Sequence, residues 1–282
     1  MARRFNDGVG PVGTESLATI PVDGVQLAYR RVGSGPPLLV LNGFAATIAD
    51  WEPSFIDALA SSNELILLDH RGMGGSTDNG KPFDVAQLAD DAAHAMETLG
   101  FHRTSVLGWS MGGFVAQTLA LQHQDRVNKL VLLSTDSGGN DADLASTVVW
   151  SQLIDTSDTP HEQARRLLFL LFPSELAEAF YREFGDIVAT ARSRLSADLV
   201  NRQAAAMDEW HRNGIGKQLR EISVPALIAT GTEDIVIPPS NALKLVNAIP
   251  GAWLAQFPRG GHAFMAQYPR PLADLINSFL GT

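Results

Sequence analysis

The feature that most constrains this chain is the recurrence of short, unbroken apolar runs separated by longer stretches with apolar residues at helical spacing. Leu38-Leu39-Val40-Leu41, Glu64-Leu65-Ile66-Leu67-Leu68-Asp69, Val106-Leu107, Leu130-Val131-Leu132-Leu133 and Ala226-Leu227-Ile228-Ala229 are such runs, with Ala252 to Phe257 a weaker case. An unbroken apolar run of this length suits a strand covered on both faces, as in a parallel sheet. The intervening segments Trp51 to Ala60, Val85 to Leu99, Gly112 to Gln122, Ser240 to Ala248 and Pro271 to Leu280 read as amphipathic helices. Alternation of the two kinds predicts an α/β fold, a mostly parallel central sheet flanked by helices. Val25 to Arg30 alternates apolar and polar residues and reads as a half-exposed strand.

Two intervals break the pattern. Residues 1–18, rich in Gly, Pro and small polar types, read as a loose N-terminal arm. Residues 137–220 contain helical segments, Ala164 to Phe172 and Leu199 to Trp210 among them, but no strand signal. A parallel crossover needs only about a dozen residues, so most of that interval is surplus. It is expected to form a helical cap over the strand ends, leaving 19–136 and 221–282 as the core.

Composition removes several function classes. The chain carries 31 acidic and 21 basic side chains, a net charge of −10. That balance argues against a nucleic-acid partner. There is no cysteine, hence no disulfide, thiolate metal site or cysteine nucleophile. No metal or cofactor is expected. Neither a secretory signal nor an apolar run long enough to span a membrane is present, so a cytoplasmic location is the default expectation.

In open α/β sheets ligands gather at the carboxyl ends of the strands, and the chemistry-bearing residues fall there. Gly108-Trp109-Ser110-Met111-Gly112 lies between an apolar strand and a helix. Gly-x-Ser-x-Gly in that setting is a nucleophile elbow, a turn too tight for side chains at its flanks. A serine hydroxyl needs a base within hydrogen-bond reach and a third group that orients the base. Gly260-Gly261-His262 directly follows the last strand, which makes His262 the candidate base. Among the other histidines, His94, His102 and His123 fall on or beside helices, His161 and His211 lie in the expected cap, and His70 belongs to the loop after Asp69. Asp234, in Gly231-Thr232-Glu233-Asp234, is the candidate orienting acid. Glu233 is a weaker choice, and Asp136, after an earlier strand, is the serious rival.

The order Ser110, Asp234, His262 resembles that of the α/β-hydrolase superfamily. So do Asp69-His70-Arg71-Gly72-Met73-Gly74-Gly75-Ser76, similar to an Asp-x-Arg-Gly-x-Gly-x-Ser loop, and Asn42-Gly43-Phe44, where the family usually has His-Gly and a small or aromatic residue. The likeness extends over Val25 to Leu280 and is nearest to small capped enzymes: esterases, lactonases, carbon–carbon bond hydrolases and cofactor-free haloperoxidases. It implies an oxyanion hole formed by the backbone N–H groups of Phe44 and Met111, and a mostly structural role for the Asp69–Ser76 loop. Asn42 departs from the family pattern. A serine rather than an aspartate at the elbow disfavours dehalogenase and epoxide hydrolase chemistry.

The expected activity is a serine hydrolase that cleaves a small apolar ester or lactone through an acyl-enzyme. Carbon–carbon hydrolysis and cofactor-free perhydrolysis by the same residues are alternatives, as is a small-molecule receptor with slow or lost turnover. Asn42, Gly43, Trp150 and Phe172 are candidate substrate contacts. Leu153, Ile154, Leu167, Leu168 and Leu171 are further candidate lining.

Overall fold

The structure, a computed structural model, describes residues 17–282. Eight strands form one sheet: β1 (Ala18–Val22), β2 (Val25–Gly33), β3 (Pro37–Leu41), β4 (Glu64–Leu68), β5 (Thr104–Trp109), β6 (Val127–Leu133), β7 (Ala226–Gly231) and β8 (Trp253–Phe257). Their spatial order is β1-β2-β4-β3-β5-β6-β7-β8. β1 pairs antiparallel with β2 and β2 antiparallel with β4, while every other pairing is parallel. The expected mostly parallel α/β sheet is therefore present.

The expectation of a loose arm falls mostly on 1–16, outside the described residues. At its end it needs correction, because Ala18 already begins β1. That strand is short, contains Pro21 and sits at the sheet edge, where a proline is tolerated. Its run is too brief to register as periodicity.

Nine α-helices are described. The core helices are α1 (Pro53–Ala60), α2 (Val85–Thr98), α3 (Met111–Gln122), α8 (Ser240–Ala248) and α9 (Pro269–Gly281). Between β6 and β7 lie α4 (Thr147–Ile154), α5 (Pro160–Leu171), α6 (Ser174–Arg192) and α7 (Ala197–Asn213), with no strand among them. Two layers of apolar residues cover the sheet. Leu39, Leu41, Ile66 and Val106 point to the face holding α2 and α3, and Leu38, Val40, Leu65 and Leu107 to the face holding α1 and α9. This is the period-2 alternation of strands buried on both sides. In α3 every residue from Met111 to Ala120 is buried, as expected of a helix that is apolar all round.

The order around β3 reverses direction, since β4 lies on one side of it and β5 on the other. Such a reversal opens a crevice at the strands' carboxyl ends. The loops after β3 and β5 flank it.

Candidate active site

Ser110 connects β5 to α3 with φ +56° and ψ −121°, a conformation costing on the order of 1–3 kcal/mol for a residue with a side chain. Close contacts fix the turn. A Cβ at Gly108 would lie 2.2 Å from the Gly112 carbonyl oxygen, and one at Gly112 would lie 2.3 Å from that of Leu41. The Ser110 N–H donates to the Leu133 carbonyl at 2.9 Å, and Thr135 Oγ1 donates to the Ser110 carbonyl at 2.9 Å. The side chain is thereby pushed out at the strand end, and Ser110 keeps 7% exposure. Its hydroxyl has no hydrogen-bond partner among the described residues.

His262 and Asp234 are brought together from separate loops after β8 and β7. His262 Nδ1 lies 2.8 Å from Asp234 Oδ2, and the other carboxylate oxygen accepts N–H bonds from Val236 and Ile237, each at 2.9 Å. Both residues are buried, at 3% and 4% exposure. The two loops are tightly apposed: a Cβ at Gly231 would lie 2.2 Å from the Gly260 carbonyl oxygen. The elbow is tied to the histidine loop as well, because the Trp109 indole N–H donates to the His262 carbonyl at 3.0 Å.

Asp136 does not face His262. Its Oδ1 accepts bonds from Gly138 N at 2.7 Å and Trp210 Nε1 at 3.1 Å, and its Oδ2 lies 3.6 Å from His211 Nε2. Glu233 is exposed.

The loop after β3 is held by the helices between β6 and β7. Gln203 of α7 is fully buried, and its Oε1 accepts the Ala45 N–H at 2.8 Å. Neither Phe44 N nor Met111 N has a hydrogen-bond partner among the described residues. Met111 opens α3, where backbone N–H groups lack intrahelical acceptors.

Asn42 requires a correction. It is fully buried rather than aimed at a ligand. Its amide donates to the Leu68 carbonyl at 3.0 Å and to Asp69 Oδ1 at 3.3 Å, and its oxygen accepts the Trp51 indole N–H at 2.6 Å. All of its polar capacity is spent on the scaffold. Gly43 packs under the elbow, where a Cβ would come within 3.3 Å of Ser110 Cβ.

The Asp69–Ser76 loop braces the strand ends. Asp69 accepts N–H bonds from Ile48 at 2.7 Å and Gly75 at 3.1 Å, and burial pushes its carboxyl up to about 6. Burial lowers the pKa of neighbouring His70. Arg71 makes a buried two-pronged bond to Asp91 of α2, at 2.6 and 2.5 Å.

A cavity of about 310 Å³ opens on Ser110. Phe114, Trp150, Leu153, Met207, Val236 and Ile237 form much of its apolar wall, joined at one end by Asp136, Asp208, His211 and Arg212. Trp150 and Leu153 thus lie where expected. Phe172 does not: it is a buried part of the packing beneath α5 and α6, edge-on to Phe180 at 4.7 Å, and Leu168 shares that cluster. His211, Met207 and Gln203 were missed as site residues. Their signal was faint, a spacing on one face of α7 in step with buried Val200 and Ala204. Among the described residues no group of three His, Asp or Glu side chains is placed to hold a metal ion, and no helix is long and apolar enough to cross a membrane.

The fold and the pairing of residues around Ser110 define the class of protein. Residues 36–267 match the family described as the alpha/beta hydrolase fold, and the chain belongs to that family. More particularly, it is 30% identical over 276 residues to a protein of Caulobacter sp. strain K31 that is provisionally named carbamate hydrolase RutD, covering 92% of this chain and 96% of that one. A hydrolase from Pseudomonas aeruginosa PA01 superposes with a TM-score of 0.80 at 26% identity, covering 96% of this chain and 100% of the other. The enol-lactonase of Burkholderia xenovorans LB400 shares the fold, with a TM-score of 0.82 at 23% identity over 94% of this chain and all of its own. The chain is a hydrolase.

Proposed function

We propose that this protein is a serine hydrolase cleaving a small, largely apolar ester or lactone through an acyl-enzyme, with residues 137–220 acting as a cap over the site. The observation that carries this reading is the 2.8 Å contact between His262 Nδ1 and Asp234 Oδ2, on a loop that the Trp109 indole ties to the elbow holding Ser110. Asp234 fixes the ring so that Nε2 is the free nitrogen. Nε2 takes the proton of Ser110 as Oγ attacks the carbonyl carbon. The contact between hydroxyl and imidazole closes when substrate fills the cavity, as catalytic hydrogen bonds often do.

Negative charge then develops on the carbonyl oxygen. The N–H groups of Phe44 and Met111 are its donors, each worth roughly 3 kcal/mol in such a site, and the N-terminus of α3 adds a favourable dipole. The tetrahedral adduct collapses and His262 returns the proton to the leaving alcohol. Water, deprotonated by the same imidazole, then releases the acid and restores Ser110. The name of the Caulobacter relative supports including carbamates among the substrates to be tried, since the same attack on carbon expels an amine or alcohol from a carbamoyl group.

A fluorophosphonate probe tests the reading. It is expected to label Ser110 in the native protein and not after denaturation, and Ser110→Ala should lower kcat on a chromogenic ester by about 10⁴ or more. Undiminished turnover by Ser110→Ala would overturn the mechanism. A single burst that leaves Ser110 or His262 modified would instead identify a receptor.

A further inference from the structure

The cavity has a second imidazole–carboxylate pair at the end formed by α7. We infer that His211, oriented by Asp136, is a specificity-determining residue that accepts a hydrogen bond from a hydroxyl or N–H group on the substrate, remote from the scissile carbonyl. The inference rests on the hydrolase reading and specifies its substrate class.

Asp136 is buried and has one oxygen occupied by the Gly138 and Trp210 N–H groups. Its other oxygen faces His211 Nε2 at 3.6 Å. An ionised carboxylate only accepts, so the neutral ring is favoured in the tautomer carrying its hydrogen on Nε2. Nδ1 is then the acceptor, and it has no partner among the described residues. The ring is held edge-on between Phe114, at 5.8 Å, and Trp150, at 5.3 Å, while Trp210 stacks on Phe114 at 4.9 Å. An imidazole so tightly framed by apolar rings serves as a fixed polar point in a wall that is otherwise mostly hydrophobic, the arrangement by which pockets orient ligands.

The charge around it selects the partner. Asp208, one turn earlier on α7, also lines the cavity and makes no salt bridge among the described residues. Two carboxylates, Asp136 and Asp208, disfavour an anionic group beside them. Arg212, the one Lys or Arg side chain among the described residues that line the cavity, is exposed to solvent, which screens its charge. Around His211 the functions without a partner among the described residues are thus acceptors apart from Arg212, and they call for a donor.

The test uses p-nitrophenyl esters whose acyl chains end in methyl, hydroxyl or carboxylate, with the wild type, His211→Phe, His211→Gln and Asp136→Asn. For the wild type, kcat/KM should rank hydroxyl over methyl over carboxylate. His211→Phe should lower the hydroxyl-to-methyl ratio by about tenfold or more, and His211→Gln, which retains an acceptor, should restore part of it. Asp136→Asn should lower the ratio through KM more than kcat, as expected of a residue that positions the ring. Ratios on one preparation do not depend on the folded fraction. The corresponding non-hydrolysable amides, titrated onto Ser110→Ala, report the same preference without turnover. Ser110-dependent hydrolysis with an unaltered ratio in His211→Phe, or equal binding of hydroxyl- and methyl-ended amides by Ser110→Ala, overturns this inference and leaves the mechanism intact. Turnover that survives Ser110→Ala overturns the mechanism, while the amide titration still decides the role of His211.

Discussion

The two imidazole–carboxylate pairs in this protein are built alike and placed differently. In each, one carboxylate oxygen is held by two N–H donors and the other faces the ring. For Asp234 the donors are Val236 and Ile237, and for Asp136 they are Gly138 and Trp210. The acids follow neighbouring strands, β7 and β6. The difference lies in the histidines. His262 is on a loop after a strand and presents Nδ1 to its partner at 2.8 Å, whereas His211 is in the last turn of α7 and presents Nε2 at 3.6 Å. In the proposed mechanism the first arrangement leaves Nε2 free to act on Ser110. The second leaves Nδ1 without a partner among the described residues, beside the rings of Phe114 and Trp150. On the proposed reading, a buried carboxylate sets which nitrogen is available, and the element carrying the histidine sets whether that nitrogen serves chemistry or recognition.

The sharpest way to break the comparison is to remove each charge in turn. Asp234→Asn should lower kcat by ~10²–10⁴ with little change in KM, and Asp136→Asn should lower kcat on simple esters far less. Steady-state kinetics on one ester would reverse the assignment if Asp136→Asn were the crippling change.

A third buried pair supplies the contrast of a purely structural contact. Arg71 and Asp91 join the Asp69–Ser76 loop to α2 with both side chains almost inaccessible. Asp91→Ala strands the guanidinium, and the expected loss is about 3–5 kcal/mol in denaturant unfolding. A loss under about 1 kcal/mol would show that the loop is held by its backbone bonds alone.

The next effect separates the pH dependence of folding from that of either pair. The Asp69 carboxyl is raised to about 6 by burial, so the folded state binds its proton more readily than the unfolded chain. Stability from this group is therefore greatest below about pH 4 and declines as pH rises toward 6, by up to about 3 kcal/mol. His70, lowered by burial, acts in the opposite sense and loses stability as pH falls. The unfolding free energy of wild type relative to Asp69→Asn isolates the carboxyl and should fall between pH 4 and 7. A flat difference would contradict the raised value.

The smallest expected change is at Gln203. Gln203→Leu removes the acceptor for Ala45 N–H and should cost about 1–3 kcal/mol of stability, with a larger fall in kcat than in the stability of the bulk fold. Equal ester turnover in this variant would show that the loop beside Phe44 keeps its shape unaided.

Much of this was legible in the sequence because the relevant signals are local. Uninterrupted apolar runs identified the parallel strands, and glycines beside Ser110 and His262 marked places where backbones touch. Asp234 could be preferred from its loop. What the sequence hid depends on contacts between distant segments. Phe172 and Trp150 are equally apolar, yet only one faces the cavity, and that is decided by how α5 and α6 pack. Asn42 resembled a ligand contact because of its position, but Asp69 and Trp51 consume its hydrogen bonds. His211 reads in the sequence only as a histidine of the expected cap, because the Asp136 loop that it faces lies far away along the chain.

The hydrogen bond from Ala45 to Gln203 also bears on traffic into the site. α7 has seven buried residues and holds the backbone next to Phe44, so swinging that helix outward to admit a molecule would unravel the loop needed once the molecule arrives. α4 carries no such burden. None of its residues is buried, and Val148 is 62% exposed. Displacing α4, which carries Trp150 and Leu153 at the cavity wall, would leave the bond between Ala45 and Gln203 in place.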